Sequence, residues 1–171
     1  MTHFQLTETD HGFFRREVEG FLPNRIFDAH AHLFCKTHYP AGTIPAHLAN
    51  APDCLGLDEY AFYSEWLHPG RRVVGGLFFG LVFNGDRDGN NRFVAEQMRS
   101  GTPYGRRALG QLVVSPNTDL DFIRQEVTRH GFVGLKVYHT MARTDGPTWQ
   151  SPIPAYFPEE FARIAHEMGL S

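Results

Sequence analysis

The stretch that most limits how this chain can fold is Arg72 to Phe83, a nearly unbroken apolar run interrupted only by glycines. Side chains alternate faces along a strand, so a strand apolar at successive positions must be covered on both sides. Such strands belong to parallel sheets, whose strands are joined by crossover helices.

The rest of the chain supplies those helices. Thr7 and Thr9 are candidate caps for a leading helix over 7–21, with Phe13, Phe14, Val18 and Phe21 at helical spacing and Pro23 as its stop. A strand follows over about 25–31, then a long irregular segment to Gly56 that contains Pro40, Gly42, Pro45 and Pro52. The pattern predicts a helix over 57–67, the strand 72–83, a turn-rich loop Asn84–Asn90 and a helix over about 91–99. A strand Ala108–Val114, a helix Asp119–His130 stopped by Gly131 in the left-handed conformation, and a strand Phe132–Tyr138 come next. A second long loop, His139–Phe157, leads to a last helix, Glu159–Met168. Four successive strand–helix units imply one α/β domain over 1–171, with parallel strands and right-handed crossovers.

Composition closes off other classes. The formal charge of −3 arises from interspersed signs, with no basic stripe for nucleic acid and no polybasic membrane anchor. No apolar run approaches the roughly 18 residues of a spanning helix. The first residues lack a signal-peptide pattern, which places the chain in the cytoplasm. Cys35 and Cys54 are too few and too isolated for a disulfide framework. Cys35 then reads as a buried or idle thiol, with a thiolate ligand as the lesser alternative.

The chemistry concentrates in Asp28-Ala29-His30-Ala31-His32. Period-two alternation puts Asp28, His30 and His32 on one face. Imidazoles two residues apart at the end of a strand can converge on one divalent ion, which makes this half of a metal site. The bland alternative is a pair of hydrogen-bonded surface histidines. Lys136 is one of only two lysines, with Lys36, and it lies inside an apolar strand that precedes the second long loop. A lysine in a low-dielectric pocket can lose its proton, and the neutral amine can add carbon dioxide to give a metal-bridging carbamate. Its alternative is a salt bridge to Asp28 or Glu59. His139 and Arg143 open the second loop and could meet an anionic substrate. His38 and His47 read as solvated, and His68, His130 and His166 as helix-end histidines. No Gly-rich phosphate loop, Gly-x-Ser-x-Gly elbow or Cys-x-x-Cys is present.

Ile26-Phe27-Asp28-Ala29-His30-Ala31-His32, followed by Gly134-Leu135-Lys136-Val137-Tyr138-His139, resembles the amidohydrolase superfamily, in particular its amidohydrolase-related branch. The resemblance implies the amino-terminal half of a (β/α)8 TIM barrel, an incomplete barrel of about four βα units. It implies His30 and His32 as metal ligands, Lys136 as a candidate bridging ligand, and Asp28 as a support that orients an imidazole. The cofactor would be one or two divalent ions, zinc first, with manganese or iron as alternatives. The implied reaction is metal-dependent hydrolysis of an amide or ester bond in a small molecule, with a nonoxidative decarboxylase on the same scaffold as the alternative. A barrel needs about 250 residues, so the further ligands and the general base expected of the family have no position here. Truncation of a longer enzyme is the favoured reading. The alternative is a half barrel that pairs with a second copy as a homo-oligomer, in one version as a non-catalytic binding module.

Overall fold

The structure is a computed structural model, and it describes residues 6–81 and 84–171. Its centre is a five-stranded sheet in the order β2-β1-β3-β4-β5. The strands are β1 (Arg25–Cys35), β2 (Cys54–Leu55), β3 (Arg72–Gly80), β4 (Ala108–Val113) and β5 (Gly134–Lys136). β1, β3, β4 and β5 are parallel and adjacent in chain order, whereas β2 pairs antiparallel at the edge of β1. The helices are α1 (Glu8–Phe13, continued by a π-helical turn Phe14–Val18), α2 (Leu57–Leu67), α3 (Arg87–Ser100), α4 (Leu120–His130), α5 (Ile153–Tyr156) and α6 (Glu159–Glu167). Among the described residues, no helix is long and apolar enough to cross a membrane.

Local chemistry explains most boundaries. Asp119 accepts from the amides of Asp121 and Phe122 at 2.9 Å to start α4, and Gly131 ends it at φ 72°. Thr7 rather than Thr9 caps α1, through a reciprocal pair with Asp10. Glu59 accepts from the Gly56 amide at 2.9 Å and so secures the start of α2. The apolar layer between sheet and helices is built from Ala31, Leu33, Phe78, Leu112, Val114, Ile123, Phe161 and Ile164, all buried. The leucine, isoleucine, valine and phenylalanine side chains among them contribute about 1.5–3 kcal/mol each on full burial.

Several boundaries differ from those the sequence predicts. β1 runs on to Cys35, because Phe34 and Cys35 pair with β2 after the ladder to β3 ends at Leu33. The run from Arg72 is a strand as far as Gly80, with Val82 and Phe83 outside the described residues. The predicted loop over 84–90 gives way to helix from Arg87, since the Asp86 carboxylate accepts the Gly89 amide at 2.7 Å as its cap. The fourth parallel strand is shorter than 132–138, spanning Gly134–Lys136.

The cysteine reading is corrected. Cys35 and Cys54 sit opposite each other in the β1–β2 pair and form a disulfide, so Cys35 is not a free thiol and offers no thiolate. Such bonds persist in oxidising compartments, and cysteine usage therefore lends no weight to a cytoplasmic location. The bond helps to shape the long first loop, 36–53. Lys36 Nζ adds to it, donating to the carbonyls of Ala49 at 3.2 Å and Ala51 at 2.6 Å. Phe34, Tyr39, Leu48 and Ala51 form a small apolar cluster beneath that loop.

Candidate functional site

The two long loops follow β1 and β5, so both open at the carboxyl end of the parallel sheet, where α/β proteins gather their functional groups. Four residues meet there. Phe79, near the end of β3, is buried and presents its ring to three chemically active side chains. The His30 and His32 rings pack edge-on against it, at centroid distances of 4.8 and 4.7 Å. Lys136 Nζ, reaching past β4 from β5, lies 4.4 Å from the same centroid and 5.1 Å from that of Tyr138. The two imidazole centroids are 5.2 Å apart, close enough for both rings to reach one ion at about 2.0–2.1 Å per Zn–N bond.

Asp28 does not share this face. Between Asp28 and Ala31, three steps along β1 match the two from Gly76 to Phe78 on β3, so a register shift interrupts the alternation. Asp28 Oδ2 accepts from the Tyr60 hydroxyl at 2.5 Å, and Tyr60 packs against Phe78, which sits on the helix-covered side of β3. Asp28 Oδ1 accepts the backbone N–H of His30 at 2.9 Å. The carboxylate thus holds the main chain just ahead of the first imidazole rather than an imidazole ring.

Electrostatics favour neutral donors. His32 is pushed down to about 4, chiefly by burial and then by the neighbouring His30, with Lys136 adding to the effect. Its Nδ1 is buried without a hydrogen-bond partner while the ring interacts with the Gly80 backbone. A neutral imidazole with an unsatisfied nitrogen is in the state that a metal requires of histidine. Burial also lowers the Lys136 amine. The salt-bridge alternative for Lys136 is not realised, since no carboxylate lies within 4.0 Å of it among the described residues. Its cation rests instead on two aromatic faces. Burial raises the Tyr138 phenol, with Tyr39 adding to the effect, and its hydroxyl donates to the Gly80 carbonyl at 2.8 Å.

A metal would find an incomplete set of donors among the described residues. They bring two imidazoles and an amine together, but no group of three or more His, Cys, Asp or Glu side chains that could hold an ion. The other candidates lie apart. His139 is exposed in a short 3-10 turn. Arg143 donates from Nε to Asn117 Oδ1 at 2.8 Å and from Nη2 to the Pro116 carbonyl, tying the second loop to the turn after β4.

Three supports escaped the sequence pattern. Phe79 lies in a uniformly apolar run with nothing to mark it. Asn90 reads as a turn residue and Asn91 as a helix start, yet both are buried. Asn90 Nδ2 donates to the Leu33 carbonyl at 3.3 Å, and its Oδ1 accepts from the Leu81 amide at 3.3 Å, linking the ends of β1 and β3. Asn91 pairs through both amide atoms with the main chain of Val113, at 2.9 and 3.0 Å. The one available signal was two adjacent asparagines four residues after Asp86, a good helix cap.

The fold is that of an α/β protein with a five-stranded, mostly parallel sheet, an arrangement consistent with part of a TIM-barrel-like fold. A solved structure with this fold is that of a probable 2-pyrone-4,6-dicarboxylic acid hydrolase from Acinetobacter baumannii, determined with citric acid bound. The two align with a TM-score of 0.53 at 18% identity over 85% of this chain and 47% of that one. The chain thus spans about half the length of the structure it matches. No family model and no curated protein matches the chain.

Proposed function

We propose that this chain carries the amino-terminal part of the active site of a metal-dependent hydrolase acting on an amide or ester bond of a small molecule. The observation that carries the reading is the convergence of His30, His32 and Lys136 on Phe79 at the carboxyl end of a parallel sheet. The hydrolase named for the solved structure favours hydrolysis over decarboxylation.

In this reading His30 and His32 hold a divalent ion, which when bound would supply a Lewis acid and a water of lowered pKa. The chain's own residues do the rest. Burial keeps His32 neutral, so its nitrogen is free to donate. Asp28 fixes the His30 main chain, and Phe79 sets the angle between the rings. Lys136, its amine weakened by burial, either stays as a positive group beside the substrate carbonyl or adds carbon dioxide. In the second case the amine nitrogen bonds to the carbon, one proton leaves, and the resulting carbamate offers two oxygen donors.

The test is metal content together with turnover. After dialysis against zinc or manganese, the wild-type chain should retain the ion stoichiometrically and His30→Ala combined with His32→Ala should retain none, with unchanged far-UV circular dichroism. Slow hydrolysis of ester or lactone probes should disappear in the same variant. Equal metal retention by the two proteins would remove the site, and a metal-free stable dimer without turnover would point to a binding module.

A further inference from the structure

We propose that the opposite, amino-terminal end of the sheet is a binding site for a small phosphate-type oxyanion, held by Arg71, Arg72 and Arg107. These arginines line one cavity of about 290 Å³, together with the hydroxyl-bearing Ser64 and Tyr104 and the carboxylate Glu65. Arg71 immediately precedes β3, Arg72 is its first residue, and Arg107 immediately precedes β4. His30 and His32 lie toward the other end of the sheet, so this site is independent of the function proposed above.

Four observations converge. In a chain of net charge −3, three arginines line one cavity with one carboxylate. None of the three makes an ion pair within 4.0 Å among the described residues. Arg25 pairs with Arg72 at the first position of the β1–β3 ladder, placing a fourth positive residue alongside. Like charges side by side on a sheet are destabilising, and an anion between them relieves that cost.

The third observation is steric. A Cβ on Gly75 would fall 2.4 Å from Arg107 Cβ and 2.6 Å from the Arg107 carbonyl oxygen. Glycine at this position is what lets Arg107 close on the start of β3. The fourth is an anchor. Arg71 gives Nη2 to the Glu19 carbonyl at 2.7 Å, which fixes the side chain at the cavity wall. Guanidinium groups without a carboxylate partner suit the several acceptor oxygens of a phosphate better than a single carboxylate.

Isothermal titration of the full chain with inorganic phosphate, repeated with a simple phosphate monoester, tests the site and separates free phosphate from a phosphorylated ligand as its source. We expect one saturable site of about millimolar affinity or tighter, weakened by added salt, and not competed by acetate at matched ionic strength. Arg72→Ala and Arg107→Ala should each weaken binding at least about tenfold, a change of roughly 1.4 kcal/mol. Both side chains are exposed, and alanine keeps the Cβ that packs on Gly75. Arg107→Lys should fall between, having the charge without the fork. His30→Ala combined with His32→Ala should bind phosphate as the wild type does. Absence of saturable binding by the wild-type chain up to about 10 mM, or equal affinity in the arginine variants, would overturn the proposal, whatever becomes of the metal site.

Discussion

Tyr60 and Asp28 are joined by a hydrogen bond of 2.5 Å that crosses from α2 to β1. It reaches the candidate centre from behind, because the other carboxylate oxygen holds the His30 amide. Burial raises the Tyr60 phenol, and the bond to Asp28 adds to that shift, so at neutral pH it is protonated and serves as the donor. Tyr60 also interacts with Ser64, as does Tyr104. A run of hydroxyls therefore extends from the back of the histidine strand toward the arginine-lined cavity.

Removing that donor should be felt at a distance. Tyr60→Phe leaves Asp28 Oδ2 without its partner, and hydrogen bonds to charged groups contribute about 1.5–3 kcal/mol. Urea unfolding should show a loss of that size with an unchanged m-value. Metal affinity should fall as well, because the His30 main chain loses part of its support. A variant as stable as the wild type would show that the bond contributes nothing net.

The metal-free protein should lose stability in mild acid. The folded-state pKa of His32 is about 4 against an ordinary value of 6.5. Above 6.5 neither state is protonated and the folded protein carries no penalty. Between 6.5 and 4 the unfolded chain takes up the proton and the folded one does not, so stability falls as pH drops, by at most about 1.4 kcal/mol per pH unit. Thermal melts across this window should show a steeper decline for the wild type than for His32→Ala. Parallel curves would show that the ring is not the cause.

Asn91 forms a two-way bridge to Val113 in the buried layer. Asn91→Leu strands one main-chain donor and one acceptor, and each such group costs about 1–3 kcal/mol. Denaturant melts should show a loss of about 2–6 kcal/mol for the two groups together, and hydrogen exchange at the Val113 amide should accelerate. Protection equal to the wild type would mean that solvent or a neighbour replaces the bridge.

Cutting the edge staple is a separate matter. Cys35 and Cys54 are 19 residues apart in sequence, and a loop of that size restricts the unfolded chain by about 3 kcal/mol in the chain-entropy account. Cys54→Ser, or reduction of the wild type, should therefore lower the unfolding midpoint and make the 36–53 loop the first segment cut by protease. Unaltered cleavage there would mean that the Lys36 contacts alone hold the loop.

How much of this was legible beforehand differs by element. The helix from Asp119 to Gly131 was readable to within a residue, because its cap, its apolar spacing and its left-handed stop are neighbours in the chain. The apolar run from Arg72 carried the parallel sheet. Asp28 was misplaced, since its facing depends on a register slip against β3 that no single-strand pattern contains. The Cys35–Cys54 bond was missed for a similar reason. It requires β2, a two-residue strand made only by pairing, and Lys36 pulling on carbonyls more than ten residues away.

By itself, the order of residues determined what is local: where helices start and stop, which strand must be covered on both sides, and which side chains can donate to an ion. Tertiary structure alone decided which of those groups meet. Phe79 gathers two imidazoles and an amine from β1 and β5, while Gly75 admits Arg107 beside Arg71 and Arg72. Such meetings depend on strand register and on room left by distant residues, and contacts between positions far apart in the chain leave no periodic trace in either segment.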